Sequence, residues 1–293
     1  MRLDRGIGWS LNGFDLSGTD PAGVRWLVKD VENWDDPAAA RGGVTPNVYG
    51  DGGRVEPTFL EPPALVLKAR LLARTRAEAT SARDAFKAAI PVRTLAPLVL
   101  VDGGVMKHRM VKQEGRPSIK QITDHHVDIS VQLVAADVRL LAGDGSGPTF
   151  IARPAGLPKV TGGLRIVPPG LLLSPGGIRV AAVVASGQVV LGTSGNATPP
   201  ALLRIRGPLP DFTITATLGD AIQVQRYIEP VPAGQYVDID LDRRVVRING
   251  NVSRRNKLVG PWIVPADGMT FKFDSSIQND IASMELFASS AWR

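Results

Sequence analysis

Between Thr198 and Phe273 the chain repeats one pattern. Val237, Ile239 and Leu241 alternate with Asp238, Asp240 and Asp242, and a period of two puts the apolar set on one sheet face and three carboxylates on the other. Asp242 and Arg243-Arg244 then turn the chain. Val246 and Ile248 alternate with Arg247 and Asn249, and Asn249-Gly250 supplies residues that tolerate left-handed dihedrals. The pair is expected to form a hairpin. Upstream, Leu203 and Ile205 alternate with Arg204 and Arg206 until Gly207-Pro208 stops the strand, and Phe212, Ile214 and Ala216 repeat the pattern against Thr213, Thr215 and Thr217. Downstream, Pro261-Trp262 and Pro265-Ala266-Asp267-Gly268 lead into Phe271-Lys272-Phe273. Short strands joined by turn chemistry predict a β-sandwich or jelly roll.

The first half has the same grain with one interruption. Residues 3–34 mix Gly, Asp and Trp with short apolar runs, enough for one or two short strands, and 35–53 is loop-like, with Gly42-Gly43, Thr45-Pro46 and Asp51-Gly52-Gly53. A loop that long in a compact domain is expected to be a contact arm. Leu65, Leu67, Ala69, Leu71 and Ala73 then alternate with Lys68 and Arg70 on the other face, a strand. The period changes at Thr75. With Glu78 it fits a capping box, and Ala79, Ala82, Phe86, Ala89 and Ile90 recur at helical spacing until Pro91 forces its predecessor out of helical geometry. The alanine-rich face predicts close packing on a sheet, anchored by Phe86. Strands follow at 98–101, 107–112 and 127–134. Gly143 to Pro148 reads as a flexible break, giving domains 1–143 and 144–293, the second opening with strands at 164–167, 178–184 and 189–191. The fold class is mainly β, a β-rich domain with one helix followed by a β-sandwich.

Length and composition agree with two domains. The 293 residues are 21% charged and include 31 Gly and 23 Pro, a balance that suits turns and short strands. Net charge is +6, yet residues 1–143 carry 19 basic and 17 acidic side chains and 144–293 carry 15 and 11. The excess is spread evenly, which predicts a solvated basic surface and no sequence-specific nucleic-acid binding. Without cysteine, neither disulfides nor thiolate metal sites staple the fold. The N-terminus lacks the apolar run of a signal peptide, and no stretch approaches the roughly 18 apolar residues of a membrane span, so no membrane insertion is expected.

No constellation for chemistry assembles. Asp238, Asp240 and Asp242 have the alternate spacing of a calcium loop, but Arg243 stands where the turn needs Gly and Asn249 where a bidentate Glu belongs. They read instead as a solvated face, charge-paired with Arg244 or Arg247. His125 and His126 lie beside Asp124, with His108 nearby in sequence, but neighbours on a strand point to opposite faces and cannot easily share an ion. Gly192-Thr193-Ser194-Gly195-Asn196 ends in Asn where a nucleophile elbow needs Gly, and every histidine lies in the other half. Gly6-Ile7-Gly8 runs on to Leu11, no phosphate-cradling loop occurs, and the Arg254, Arg255 and Lys257 cluster has no interleaved aromatic residue for base stacking. Trp262 is a possible sugar platform or a packing residue. The expected catalytic, metal-binding and cofactor-binding sets are therefore empty, with no cofactor.

The ordered series Thr198-Pro199-Pro200, Ile205-Arg206-Gly207-Pro208, Ile239-Asp240, Arg244-Val245-Val246, Asn249-Gly250, Trp262 with Pro265 and Gly268, and the closing Ala291-Trp292 resembles the C-terminal half of distal tail proteins of long-tailed bacteriophages. The strand, helix, strands order with its Ala135-Ala136-Asp137-Val138-Arg139 exit is similar to their N-terminal half. That resemblance implies a galectin-like second sandwich and a ring-building first domain. It also implies a structural, non-enzymatic hub in the virion tail tip, assembled in the host cytoplasm. Its partners are then copies of itself in a hexameric ring, the tail tube protein, a central tip protein and peripheral receptor-binding proteins. Sugar-binding galectins rely on a His with Asn, Arg and Trp on one face, and no His follows His126, so that activity is not carried over. The alternative is a carbohydrate-binding or adhesin module.

Overall fold

The computed structural model describes residues 7–152, 154–157, 159–161, 183–185, 187–277 and 281–293. These residues are mainly β with one α-helix, and the chain divides into two compact units, Met1–Gly147 with Gly195–Ala197 and Ala291–Arg293, and Pro148–Ser194 with Thr198–Ser290.

The first unit is an antiparallel sheet. Its path runs through Phe14–Asp15, Gly8–Leu11, Ala96–Asp102, Val105–Gln113, His126–Ala135, Ala64–Leu72, Arg25–Glu32 and Gly18–Thr19. The two end strands are separated in sequence only by Leu16 and Ser17, so the sheet bends round until its ends are neighbours along the chain. Ala64–Leu72 is paired on both edges, to His126–Ala135 over nine residues and to Arg25–Glu32 across an irregularity between Val28 and Asp30. Leu65, Leu67, Ala69 and Leu71 are buried together with Val127, Ile129, Val131 and Leu133 from the neighbouring strand. On the other face Arg70 forks onto Asp128 through Nε and Nη2, at 2.7 and 2.9 Å.

The helix forms where the spacing predicts it, at Arg76–Ala89. Thr75 Oγ1 accepts the Glu78 amide at 3.2 Å while the Glu78 carboxylate accepts the Thr75 amide at 3.1 Å, the reciprocal box that satisfies two orphan donors. Ile90 is already extended, as its position before Pro91 requires. Ala79, Ala82 and Phe86 are buried, and the Phe86 ring meets Trp26 at 5.6 Å and Phe14 at 5.8 Å.

Among the described residues the second unit has two antiparallel sheets sharing one core and a two-stranded ladder of Lys159–Thr161 with Val183–Ala185. One runs Phe150–Ile151, Ser283–Ala288, Ala201–Arg206, Tyr236–Asp240, Val245–Ile248 and Val252–Ser253, with Ala155–Gly156 also on Ser283–Ala288. The other runs Gln188–Val190, Thr270–Asp274, Phe212–Leu218, Ala221–Tyr227 and Leu258–Val259. Leu203, Ile205, Val237, Ile239 and Leu286 from the first sheet meet Phe212, Ile214, Phe271 and Phe273 from the second. The Tyr236–Asp240 and Val245–Ile248 hairpin is as the alternation predicts, and Asn249 and Gly250 take φ of 50° and 74°. Of the opening strands expected after residue 144, 164–167 and most of 178–184 lie outside the described residues, while Gln188–Val190 covers most of the third.

Phe86→Ala is expected to cost about 3–5 kcal/mol, because it empties a fully enclosed aromatic site. Urea unfolding of the variant checks this, and a loss below about 1 kcal/mol would show that Phe86 does not anchor the helix.

Candidate assembly arm

The segment 35–53 was expected to be a loop. It is instead the outgoing half of a β-arm that returns through residue 60. Ala40–Arg41 pairs with Phe59–Leu60, and Val44–Pro46 pairs with Gly53–Val55. Neither ladder joins the main sheet, and residues 39–62 are exposed throughout. Among the described residues, Val44, Val48, Tyr49, Val55, Phe59 and Leu60 are large apolar side chains left exposed on this arm. Val44 and Val55 lie directly opposite each other across the ladder, and the arrangement makes an apolar surface of the kind that marks interaction sites. The composition of 35–53 masked this: its Gly, Pro and Asp dominate the local pattern, and the return strand lies beyond it. Val44 and Tyr49 before the Asp51-Gly52 turn signal were the cue available in sequence.

The arm's root is held by a buried arginine that sequence reading did not single out. Arg109 is 3% exposed. Its Nη2 donates to the Trp34 carbonyl at 3.1 Å and its Nη1 to the Val138 carbonyl at 3.0 Å, and the guanidinium carbon lies 5.8 Å from the Trp34 ring centroid. Burial disfavours its charge, and Asp137 and Asp35 act against that. Burial likewise works to raise the Asp137 carboxyl, but the Arg139 guanidinium bonded to it holds it below its ordinary value. Trp34 meets Trp9 edge-on at 4.9 Å, which fixes the segment leading into the arm.

The residues considered for chemistry are dispersed. Asp238 receives the Arg204 fork at 2.7 and 3.0 Å, so its partner is Arg204 and neither Arg244 nor Arg247. Asp240 caps the following turn, its Oδ1 accepting the Asp242 and Arg243 amides at 3.1 and 2.8 Å. The strand ends at Asp240, which takes Asp242 off the sheet face predicted for all three carboxylates. His125 and His126 are exposed, with their amides donating to Thr123 Oγ1, while His108 is buried with Nδ1 2.9 Å from the Gly143 carbonyl. Ser194 Oγ lies 3.1 Å from Ser290 Oγ, and Thr193 is tied to Asp267. Gly8 begins a strand, and Gly6 lies outside the described residues. Of the basic cluster, Arg254 pairs with Glu229 and Arg255 lies over the Trp262 ring at 4.8 Å. Trp262 donates its indole N–H to the Leu241 carbonyl at 2.7 Å and packs on the second core, which makes it a packing residue here.

No family model matches the sequence, and no curated protein matches it. Solved structures do resemble it. The crystal structure of the SPP1 Dit protein, described as a paradigm of the hub adsorption apparatus of phages infecting Gram-positive bacteria, aligns over 98% of this chain and 99% of its own, with a TM-score of 0.59 at 9% identity. A chain of the phage P2 baseplate in its activated conformation with calcium aligns over 97% of this chain and 98% of its own, with a TM-score of 0.47 at 10% identity. The chain shares its fold with the SPP1 Dit protein.

Burial pushes the His108 imidazole below its usual value, against the bond to Gly143 and the charge of Asp144. A lowered folded-state value means the unfolded chain takes up the proton first, so this contribution to stability is full above about pH 6.5 and shrinks as pH falls toward the folded-state value. The unfolding midpoint should therefore drop between pH 7 and pH 5. His108→Phe should flatten that part of the profile in pH-resolved thermal melts, and an unchanged slope would contradict it.

Proposed function

We propose that this protein is the distal hub of a phage tail: a ring of identical subunits that joins the tail tube to the adsorption apparatus. The arm carries the reading. Six large apolar side chains gathered on one exposed arm form a surface of the kind another protein covers, and the fold is like that of a protein described as an adsorption hub. A ring of identical subunits can close only if two different patches of one subunit complement each other, and the exposed arm supplies one of them.

The division of labour follows from the two units. Residues 1–143, with the arm, build the ring around a channel, and residues 144–293 form a galectin-like sandwich that faces the periphery. Six copies close the ring, the tube protein and a central tip protein meet its two sides, and peripheral receptor-binding proteins attach outside. The role is structural and needs no cofactor. It places the protein in the virion tail tip after assembly in the host cytoplasm.

Light scattering of the purified chain at micromolar concentration should give a mass several times that of one subunit, and negative-stain images should show annular particles. A strict monomer under these conditions would overturn the reading. Asp238→Asn and His125→Ala, which change charged or polar side chains away from the arm, should leave the assembled mass unchanged. Loss of a biological activity in either variant with assembly intact would point instead to chemistry at those residues.

A further inference from the structure

Asp238, Asp240, Trp262 and His108 are all committed to neighbours; the polar groups of one groove are not. It opens in the first unit, where Asp35, Leu100, Asp102, Val105, Lys107 and Trp292 surround about 440 Å³. The hairpin of Ala96–Asp102 and Val105–Gln113 supplies four of these residues in register, Leu100 opposite Lys107 and Asp102 opposite Val105. Trp292 reaches the groove because Leu140–Ala142 pairs both with Val105–Gln113 and with Ala291–Trp292. The closing Ala291-Trp292 of the sequence therefore supplies one of its walls.

Among the described residues, neither the Asp35 and Asp102 carboxylates nor the Trp292 indole N–H makes a hydrogen bond or an ion pair. The Lys107 ammonium has only the Trp292 ring, 4.7 Å from its centroid. Two acceptors and two donors thus stand unengaged beside an indole, a leucine and a valine that is 51% exposed. Apolar walls, a few convergent polar groups and a volume within roughly 300–1,000 Å³ are the characters of a small-molecule site.

The ligand class follows by elimination. A purely apolar group would strip water from all four polar groups and replace none of its hydrogen bonds. A metal ion is poorly served, since no group of three metal-ligating side chains occurs among the described residues. A strongly charged ligand is not selected either, because the two carboxylates face Lys107 in the groove and Arg109 behind Asp35. Arg293, one position past Trp292, falls on the opposite face by strand alternation. A neutral polyhydroxylated ring meets these conditions together. The C–H faces of a pyranose pack on an indole and on alkyl side chains, and its hydroxyls donate to carboxylates and accept from an ammonium and an indole N–H.

We propose that the Asp35–Asp102–Trp292 groove binds a neutral pyranose ring, as a free sugar or as one residue of a polysaccharide. Trp292, Leu100 and Val105 hold the apolar side of the ring, Asp35 and Asp102 accept its hydroxyl protons, and Lys107 donates to a hydroxyl oxygen. The site goes beyond the hub reading and does not require the chain to self-assemble. It belongs to the first unit, whereas Trp262 belongs to the second.

Saturation-transfer NMR and tryptophan fluorescence on the full chain test this, with the methyl glycosides of glucose, galactose, mannose, N-acetylglucosamine and glucuronic acid as probes. At least one neutral glycoside should bind with a Kd of about 1–10 mM, the range for a ligand of this size. The glucuronide should bind more weakly than that glycoside, because its carboxylate meets Asp35 and Asp102. Asp102→Ala and Trp292→Ala should each weaken binding about tenfold or more, as loss of an anchoring group does. A trisaccharide of the bound sugar that binds no tighter than the single ring identifies a free-sugar site, and one that binds tighter identifies a polysaccharide site. No binding of any neutral glycoside, tightest binding of the glucuronide, or wild-type affinity in a folded variant would overturn the proposal and leave the hub reading standing. A monomeric mass in light scattering would overturn the hub reading alone. Trp292 also packs on the core, so if circular dichroism shows Trp292→Ala unfolded, Asp102→Ala at its exposed position decides.

Discussion

A strand has two faces, and the organisation of this protein depends on how many of them are hidden. In the central strand of the first unit the apolar face lies against the helix and sheet core, and its outer face is covered by charge pairs such as Arg70 with Asp128. In the second unit the inner faces of two sheets dry one another, and the outer face at Arg204 and Asp238 is again laced by charge. The arm departs from this rule along its whole length. Its two ladders have neighbours along their edges but no layer beneath them, so Val44, Val55 and Phe59 stay in water although their residue types favour burial.

The departure is supported from within. Arg109 is enclosed, and its two terminal nitrogens donate to carbonyl groups of two segments, Trp34 at the arm's root and Val138 after the last long strand, while its Nε is buried without a partner. An enclosed guanidinium is tolerated only where such partners are in place. Trp9 and Trp34 pack edge to face beside it. The arm therefore projects from a stiff base, and a stiff base is what allows an exposed surface to recognise a fixed partner geometry.

The absence of a converging acid, base and nucleophile among the singled-out residues has a structural cause. Asp238 is committed to Arg204, Asp240 to the turn that follows it, Trp262 to the Leu241 carbonyl and His108 to the Gly143 carbonyl. Each of these four side chains is satisfying a neighbour.

Much of the fold was legible in the residues because its signals are local. Period-two alternation marked the strands at Ala64–Leu72, His126–Ala135 and Tyr236–Asp240, while Thr75, Glu78 and Pro91 marked both ends of the helix. The remainder depends on contacts between residues far apart in sequence. The arm was hidden because its strands are two or three residues long and lie among glycines and prolines, so pairing across the turn, and not propensity, defines them. Arg109 carries no local signal of burial, because Trp34 and Val138 reach it only in the fold. The partner of Asp238 came from a strand more than thirty residues upstream and not from the adjacent hairpin. Sequence periodicity determined which side of each strand is apolar, because that depends only on backbone geometry. The tertiary structure alone decided which apolar sides find cover, because that requires knowing which segments of the chain become neighbours.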